Sequence, residues 1–300
     1  MRIVSLLPSA TEIVCALGLQ EELVGISHCC DYPPEIDGVT VVTRPLATAE
    51  SGSRPPFIDN EIGPAELDVQ RLRAAQPDLV IVRDVASGSG IDSRQVREAL
   101  GESAGSVVVS LDPSSVEGIF HSIATIGAMA EAEDDAMELL EALREELGDL
   151  EQQVVVRHDE GIRAPRVVML AAIEPPFACG RWVPEYIRRA GGWDLLGREG
   201  DAASPTTWEM VRDVDPEMLL IAPAGIHLPA AKRAFSRTEL PEFWHEIEAV
   251  RRGRVFIVEP VYFERPGPRF VDGLGMLAEI FDSDGFIETS PPGSWTPVVE

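Results

Sequence analysis

Val261-Tyr262-Phe263-Glu264-Arg265-Pro266-Gly267-Pro268-Arg269 stands between an apolar run, Arg254 to Val258, and an amphipathic run that begins near Pro268. The order is strand, polar-aromatic loop, helix, the building unit of an α/β sheet. Ligands of open α/β sheets bind outside the carboxyl ends of the strands. Aromatic rings, a carboxylate and guanidinium groups at such a junction therefore mark a candidate binding rim. A turn set by Pro266 and Gly267, with Tyr262 and Phe263 simply packed, explains the same residues.

Outward from this stretch the alternation recurs. Strands are predicted at Arg166 to Ala171, Met218 to Ile221 and Val255 to Val258, with helices near Pro184 to Ala190, Thr207 to Asp213, Pro241 to Val250 and Arg269 to Phe281. The first half has a strand at Ile3 to Leu7 and then a helix from Pro8 through Leu17, with Ser9 and Glu12 at capping-box spacing and Gly18 placed to end it. Strands follow at Leu23 to Ser27, Leu79 to Val82 and Ser106 to Leu111, and helices at Ala65 to Ala75 and Ser93 to Leu100. Residues 43 to 63 and Ser87-Gly88-Ser89-Gly90 read as loops; no Gly-Lys-Ser/Thr follows the latter to make a phosphate loop. Such alternation implies a largely parallel sheet with helices on both faces.

Between the halves, Ser114 to Val154 is helical, with an interruption near Ala130 to Asp134. Met137, Leu140, Leu143, Leu147, Leu150 and Val154 form one apolar stripe. A helix of some twenty residues would be about 30 Å long, enough to cross between two lobes. The division is therefore residues 1–132, a backbone helix at 133–156, residues 157–288, and a loosely ordered tail at 289–300 that carries three prolines from Thr289 on. Gln70-Arg71-Leu72-Arg73 with Pro77-Asp78-Leu79-Val80 is echoed by Glu209-Met210-Val211-Arg212 with Pro216-Glu217-Met218-Leu219, as two similar lobes would require.

The chain has 300 residues, 51 acidic against 25 basic and a net charge of −26, with Lys232 its only lysine. That field repels phosphate backbones and argues against a nucleic-acid partner. Spread along the whole chain, it suits a halophilic, solvated acidic surface. No run of about 18 apolar residues occurs, so no membrane span is expected. Met1-Arg2 runs straight into the first strand, which as written leaves the chain in the cytoplasm. Cys15, Cys29, Cys30 and Cys179 are expected to be free thiols there.

An ordered set of short motifs runs through the chain. They are Ser5-Leu6-Leu7-Pro8-Ser9-Ala10-Thr11-Glu12, Val24-Gly25-Ile26-Ser27, Asp31-Tyr32-Pro33-Pro34, Pro77-Asp78-Leu79-Val80, Pro175-Pro176-Phe177, Ala190-Gly191-Gly192 and Phe263-Glu264-Arg265 with Pro268-Arg269. In these the chain resembles the helical-backbone (class III) substrate-binding proteins of ABC importers, in their cobalamin- and iron-chelate-binding branch.

The resemblance implies an α/β fold of two Rossmann-like lobes with central, mostly parallel sheets joined by a long backbone helix, the ligand lying in the interlobe cleft. It implies no enzyme and no required cofactor, a monomer, and a cobalamin, other corrinoid, haem or iron chelate as ligand. An ABC permease would be the partner, with Glu209 as one docking carboxylate and Gln70 at the matching position of the first lobe. Tyr32, Phe177, Tyr262, Phe263 and Arg265 would line the cleft. Cys29, Arg44, Arg83 and Ala171 stand where relatives commonly have aromatic residues, which makes the cage more cationic and favours an anionic chelate or a differently substituted corrinoid.

Arg181 and Trp182, in the loop after the Arg166 strand, would face the first lobe, and Arg83 sits at a strand end beside Asp84, either aimed into the cleft or in a surface ion pair. His28, Cys29 and Cys30 form a candidate soft-metal set, with Cys179 or Asp31 to complete it; buried thiols beside a rim histidine are the other reading. His227 and His245 are expected to face solvent. No Ser-His-Asp order, metalloprotease helix or dinucleotide fingerprint is visible. The second functional reading is a cytosolic corrinoid-, haem- or thiol-dependent metal-binding protein or enzyme on the same scaffold.

Overall fold

The short apolar runs and the turns between them build a βα chain. The computed structural model describes residues 1–46, 61–84, 90–101, 105–159, 161, 163–282 and 289–298. Its first lobe contains β1 (Ile3–Ser5), α1 (Pro8–Ala16), β2 (Leu23–Ile26), β3 (Thr43–Pro45), β4 (Ala65–Leu67), α2 (Val69–Ala75), β5 (Leu79–Val82), α3 (Ser93–Leu100) and β6 (Val107–Ser110). β2, β1, β5 and β6 lie side by side in one parallel sheet. β3 and β4 zip the ends of the segment expected to be one surface loop, Thr43 opposite Leu67. The middle of that segment, like Ser87-Gly88-Ser89, lies outside the described residues. The helix expected from Ala65 therefore starts only at Val69, where Asp68 accepts a hydrogen bond from the Arg71 backbone N–H at 3.0 Å.

α4 (Val116–Met129) and α5 (Glu133–Asp159) follow. The break between them is where the sequence places it, with Glu131 in the left-handed region at φ 56°. Gly127 lets the two helices close, since a Cβ there would lie 2.4 Å from the Ala136 Cβ. At 27 residues α5 spans about 40 Å, longer than expected. Leu140, Leu143, Leu147 and Leu150 are buried along one face as the stripe requires, but Met137 is exposed and Ala136 takes its place in the core.

The second lobe contains β7 (Arg166–Ile173), β8 (Pro176–Ala178), α6 (Val183–Arg189), β9 (Trp193–Asp194), β10 (Ser204–Pro205), α7 (Trp208–Val214), β11 (Met218–Ile221), α8 (Leu228–Phe235), α9 (Glu248–Arg251), β12 (Val255–Val258), α10 (Val261–Glu264), α11 (Phe270–Phe281) and β13 (Trp295–Pro297). β7, β11 and β12 form a parallel centre, and antiparallel strands β8, β10 and β13 extend its two sides. Instead of a helix over 241–250 there is a single turn and short α9, because Ile247 is extended at ψ 131°. α8 is a helix the sequence reading lacks. Residues 289–298 are not loose: β13 pairs with β12, and the Thr289 hydroxyl donates to the Gly275 carbonyl at 3.0 Å. The prolines of that tail flank the strand rather than prevent it.

The internal echo is structural. α2 and α7 both end on a left-handed residue, Gln76 at φ 45° and Asp215 at φ 42°, and each leads into a strand buried on both faces. In each lobe an arginine at the start of the first strand donates to the last turn of that helix: Arg2 to the Ala75 carbonyl at 2.8 Å, Arg166 to the Val214 carbonyl at 3.3 Å. In each, its backbone N–H is received by the carboxylate after the proline, Asp78 at 2.7 Å and Glu217 at 2.9 Å.

One apolar core runs through both lobes, joining Ile3, Leu7 and Ile123 to Val167, Tyr186 and Phe270. Phe270 packs edge-on against Phe120 at 5.5 Å between ring centroids. Lobes that share a close-packed core move little against each other.

Candidate functional site

The carboxyl ends of the parallel strands of the two lobes face each other. Contacts across the seam come from the residues just past β1, β2, β5 and β6 on one side and past β7, β11 and β12 on the other. The densest centre on Arg265. Its guanidinium, nearly buried, donates to Asp31 at 2.6 Å and to Glu12 at 3.3 Å, both in the first lobe. Arg269 donates twice to the same Glu12 carboxylate, at 2.5 and 2.9 Å. The capping box expected from Ser9 and Glu12 is not formed. Pro8 is the first helical residue of α1, and Ser9 instead binds Glu61 through its backbone N–H at 2.7 Å and its hydroxyl at 2.8 Å. Glu12 is thereby free to serve the other lobe.

His227, expected to face solvent, is exposed but joins the seam, 3.2 Å from Asp31 and 3.1 Å from Glu259. His245 is exposed as expected. Burial opposes the ionisation of Asp31, yet the hydrogen bond and charge of Arg265 outweigh it and hold the carboxyl below its ordinary value.

A pocket of about 440 Å³, including its open mouth, lies against the second-lobe side of this seam. Small residues make its floor: Ala171, Ala203, Ala222 and Ala224. Trp182, Phe263, Arg181 and Glu264 form its walls. Trp182 is fixed by its indole N–H, which donates to the Phe263 carbonyl at 2.8 Å. Gly180 lets the Arg181 loop pass the 201–203 segment; a Cβ there would stand 2.5 Å from the Ala203 nitrogen.

Of the residues the sequence singled out, Trp182, Phe263 and Arg181 reach this pocket. Phe177 does not line it but packs just behind, in a small apolar cluster with Ala172 and Ala203. Tyr32 and Tyr262, one from each lobe, flank Arg269, whose guanidinium carbon lies 4.1 and 5.4 Å from the two ring centroids. Tyr32 lines a neighbouring open hollow, about 770 Å³ with its mouth included, together with Glu12, Cys15, Glu35 and Arg269. Arg44 is exposed on the β3–β4 ribbon, where it pairs with Glu66 on the neighbouring strand. Arg83 is not in a surface ion pair with Asp84: it is buried beside Glu61, while Asp84 accepts the Ser93 N–H at 2.7 Å.

His28, Cys29 and Cys30 are not brought to one point. The His28 Nδ1 meets the Thr43 hydroxyl at 2.8 Å, Cys29 is 3.8 Å from the Ile62 carbonyl, and Cys30 is 3.1 Å from both Thr11 and Ser27 hydroxyls. Among the described residues no three His, Cys, Asp or Glu side chains group as they would around a metal ion. Burial pushes the Cys29 thiol up to about 12 and those of Cys30 and Cys15 up to about 11, so all three stay protonated at neutral pH. Cys179 lines the pocket without them.

Glu264 sits in the pocket wall, 2.6 Å from the Gly225 N–H and 4.0 Å from Arg265. Burial raises its carboxyl to about 7, an effect the Gly225 bond and Arg265 only partly offset. An acid whose folded-state value exceeds its unfolded one contributes stability fully present below the unfolded value near 4.5 and lost as pH rises through about 7. Glu264→Gln is therefore expected to flatten the stability profile between those limits by on the order of 1–3 kcal/mol. Chemical unfolding of both proteins across that pH range checks it, and parallel profiles would refute it.

Sequence reasoning misses the roles of Glu12, Glu61, His227 and Asp112, the last an acceptor for the Arg181 guanidinium at 2.8 Å. Each gains its role from a partner far along the chain, and no local pattern carries that signal.

The sequence profile of a family described as periplasmic binding protein matches residues 3–262. An uncharacterized ABC transporter substrate-binding lipoprotein of Bacillus subtilis is 26% identical over 294 residues, covering 96% of this chain and 82% of that protein. A vitamin B12-binding protein of Vibrio parahaemolyticus is 23% identical over 287 residues, covering 94% and 90%. Among solved structures, a periplasmic heme binding protein from Pseudomonas aeruginosa superposes with a TM-score of 0.77 at 21% identity, covering 100% of this chain and 98% of that one. That likeness establishes the shared fold. None of these relatives supports the cytoplasmic location expected from the sequence. Among the described residues no helix is long and apolar enough to cross a membrane.

Proposed function

The chain belongs to the periplasmic binding protein family, and from that premise we propose that it is the substrate-binding component of an ABC importer, holding a metal chelate in the interlobe cleft without chemistry. Corrinoids, haem and iron chelates are the ligand classes. The observation that carries the reading is the alanine-floored pocket walled by Trp182 and Phe263 at the converging strand ends. Ring edges and indole faces match a large, flat, partly apolar guest. The shared core of the lobes supports a cleft that closes through small displacements.

Titration with cyanocobalamin, haemin and a ferric hydroxamate, followed by Trp fluorescence and ligand absorbance, tests it. Saturable one-to-one binding of any of them is expected, and binding of none would end the proposal. The alternative thiol-dependent metal carrier is disfavoured by the dispersed, protonated Cys29 and Cys30.

Docking to a permease would use the first turns of α2 and α7. Gln70 and Glu209 occupy matching positions there and both are exposed. Glu209→Ala should abolish stimulation of the transporter ATPase in proteoliposomes, and Gln70→Glu should raise it by adding the second carboxylate. Unchanged stimulation in both variants would exclude this surface. The monomer and its place outside the cytoplasm belong to the same reading; sizing chromatography and fractionation of the host test them.

A further inference from the structure

We propose that Arg83 and Arg181 form a carboxylate-binding site in the cleft, that Asp112 is its displaceable internal occupant, and that the chelate taken by this protein carries peripheral carboxylates. The inference rests on the chelate-binding reading and narrows it.

Arg83, past the end of β5, is 2% exposed. Its Nη2 lies 3.3 Å from Glu61, yet neither Nη atom has a hydrogen-bond acceptor in good geometry among the described residues. Guanidinium donors are hydrogen-bonded when buried, so a group left in this state indicates a missing acceptor. Arg181 reaches the same place from the second lobe and donates to Asp112 Oδ1 at 2.8 Å and to the Pro113 carbonyl at 3.2 Å. Arg83 Nε is 3.7 Å from that Asp112 oxygen. Two guanidiniums from opposite lobes thus converge on one carboxylate oxygen. The backbone of Arg181 is left-handed, φ 55°, an uncommon conformation for a residue other than glycine that this position maintains beside the pocket. Trp182, the next residue, lies under Arg83 at 6.0 Å and walls the pocket.

The two carboxylates of this quartet differ. Glu61 is wholly buried and held by both the N–H and hydroxyl of Ser9, so it is a fixed counter-charge. Asp112 is 47% exposed and follows the last strand of the first lobe, so it can swing away. Its departure vacates the position on which both guanidiniums converge, and an incoming carboxylate can take it. A neutral amide in its place would accept from the guanidiniums without the charge that strengthens those bonds. The planar fork of arginine suits a carboxylate.

Citrate serves as the probe, in chloride matched for ionic strength, with thermal midpoint and calorimetric titration as readouts. Asp112→Asn removes the competitor and is expected to tighten citrate binding about tenfold. Arg181→Asn removes one guanidinium while tolerating the left-handed backbone and should abolish the citrate effect. Haemin should bind at least about tenfold tighter than its dimethyl ester, which lacks the free carboxylates. Failure of citrate to stabilise Asp112→Asn overturns the proposal. Equal binding of haemin and its diester also overturns it and leaves chelate binding intact. Citrate binding to Asp112→Asn without uptake of any chelate upholds the carboxylate site and sinks the importer reading instead.

Discussion

Replacing Glu12 with alanine should lower the free energy of unfolding by on the order of 3 kcal/mol, because breaking a buried ion pair leaves charge without a partner. Glu12 is buried in α1 of the first lobe and receives three hydrogen bonds from Arg265 and Arg269 of the second. Its removal strands Arg269, which stacks between Tyr32 and Tyr262 but has no other carboxylate in hydrogen-bond reach among the described residues. Arg265 keeps Asp31, which limits the loss. The pairs bridge the lobes, so the same substitution should also loosen the seam, visible as faster amide exchange in residues 261–269. Urea unfolding of the wild type, Glu12→Ala, Arg269→Ala and the double variant would measure both the cost and the coupling. Loss of less than about 1 kcal/mol, the level of a surface pair, would mean that the seam is held by the shared apolar core alone.

The second large effect is on binding. Ala224→Trp fills the pocket from its floor and should weaken binding of haemin or cyanocobalamin by at least about 100-fold, equivalent to roughly 3 kcal/mol. Ala224 follows β11 in a half-buried loop, where added volume is better accommodated than in the strand itself, so the thermal midpoint should change little. Unchanged affinity would place the ligand elsewhere, and the hollow beside Tyr32 would become the site to block next.

The strands and helices were legible where apolar periodicity was strong. Leu79 to Val82 and Met218 to Ile221 are short apolar runs after a proline, and both are strands buried on two faces. The repeated helix–proline–strand segment gave the two-lobe plan from sixteen residues, because each copy needs the same left-handed cap and the same carboxylate lock. Boundaries set by pairing were not legible. Ala65 to Leu67 is strand rather than helix because Thr43 to Pro45 lies beside it, and Trp295 to Pro297 is ordered because β12 offers an open edge. α8 was hidden because its buried face is only Leu228, Ala231 and Phe235, within a polar surround.

The candidate site divides the same way. Residue types at strand ends, Trp182, Phe263 and Arg265 among them, were readable as rim residues because a βα unit delivers them there whatever the rest of the chain does. Which of them face a pocket and which are consumed in holding the lobes together was not readable. Arg265 is spent largely on Glu12 and Asp31, residues more than two hundred positions away, and Phe177 retreats behind alanines. Local sequence fixes backbone geometry through propensity, capping and turn chemistry. The pairing of charges is set by distances in space, and only the folded seam brings those partners within reach.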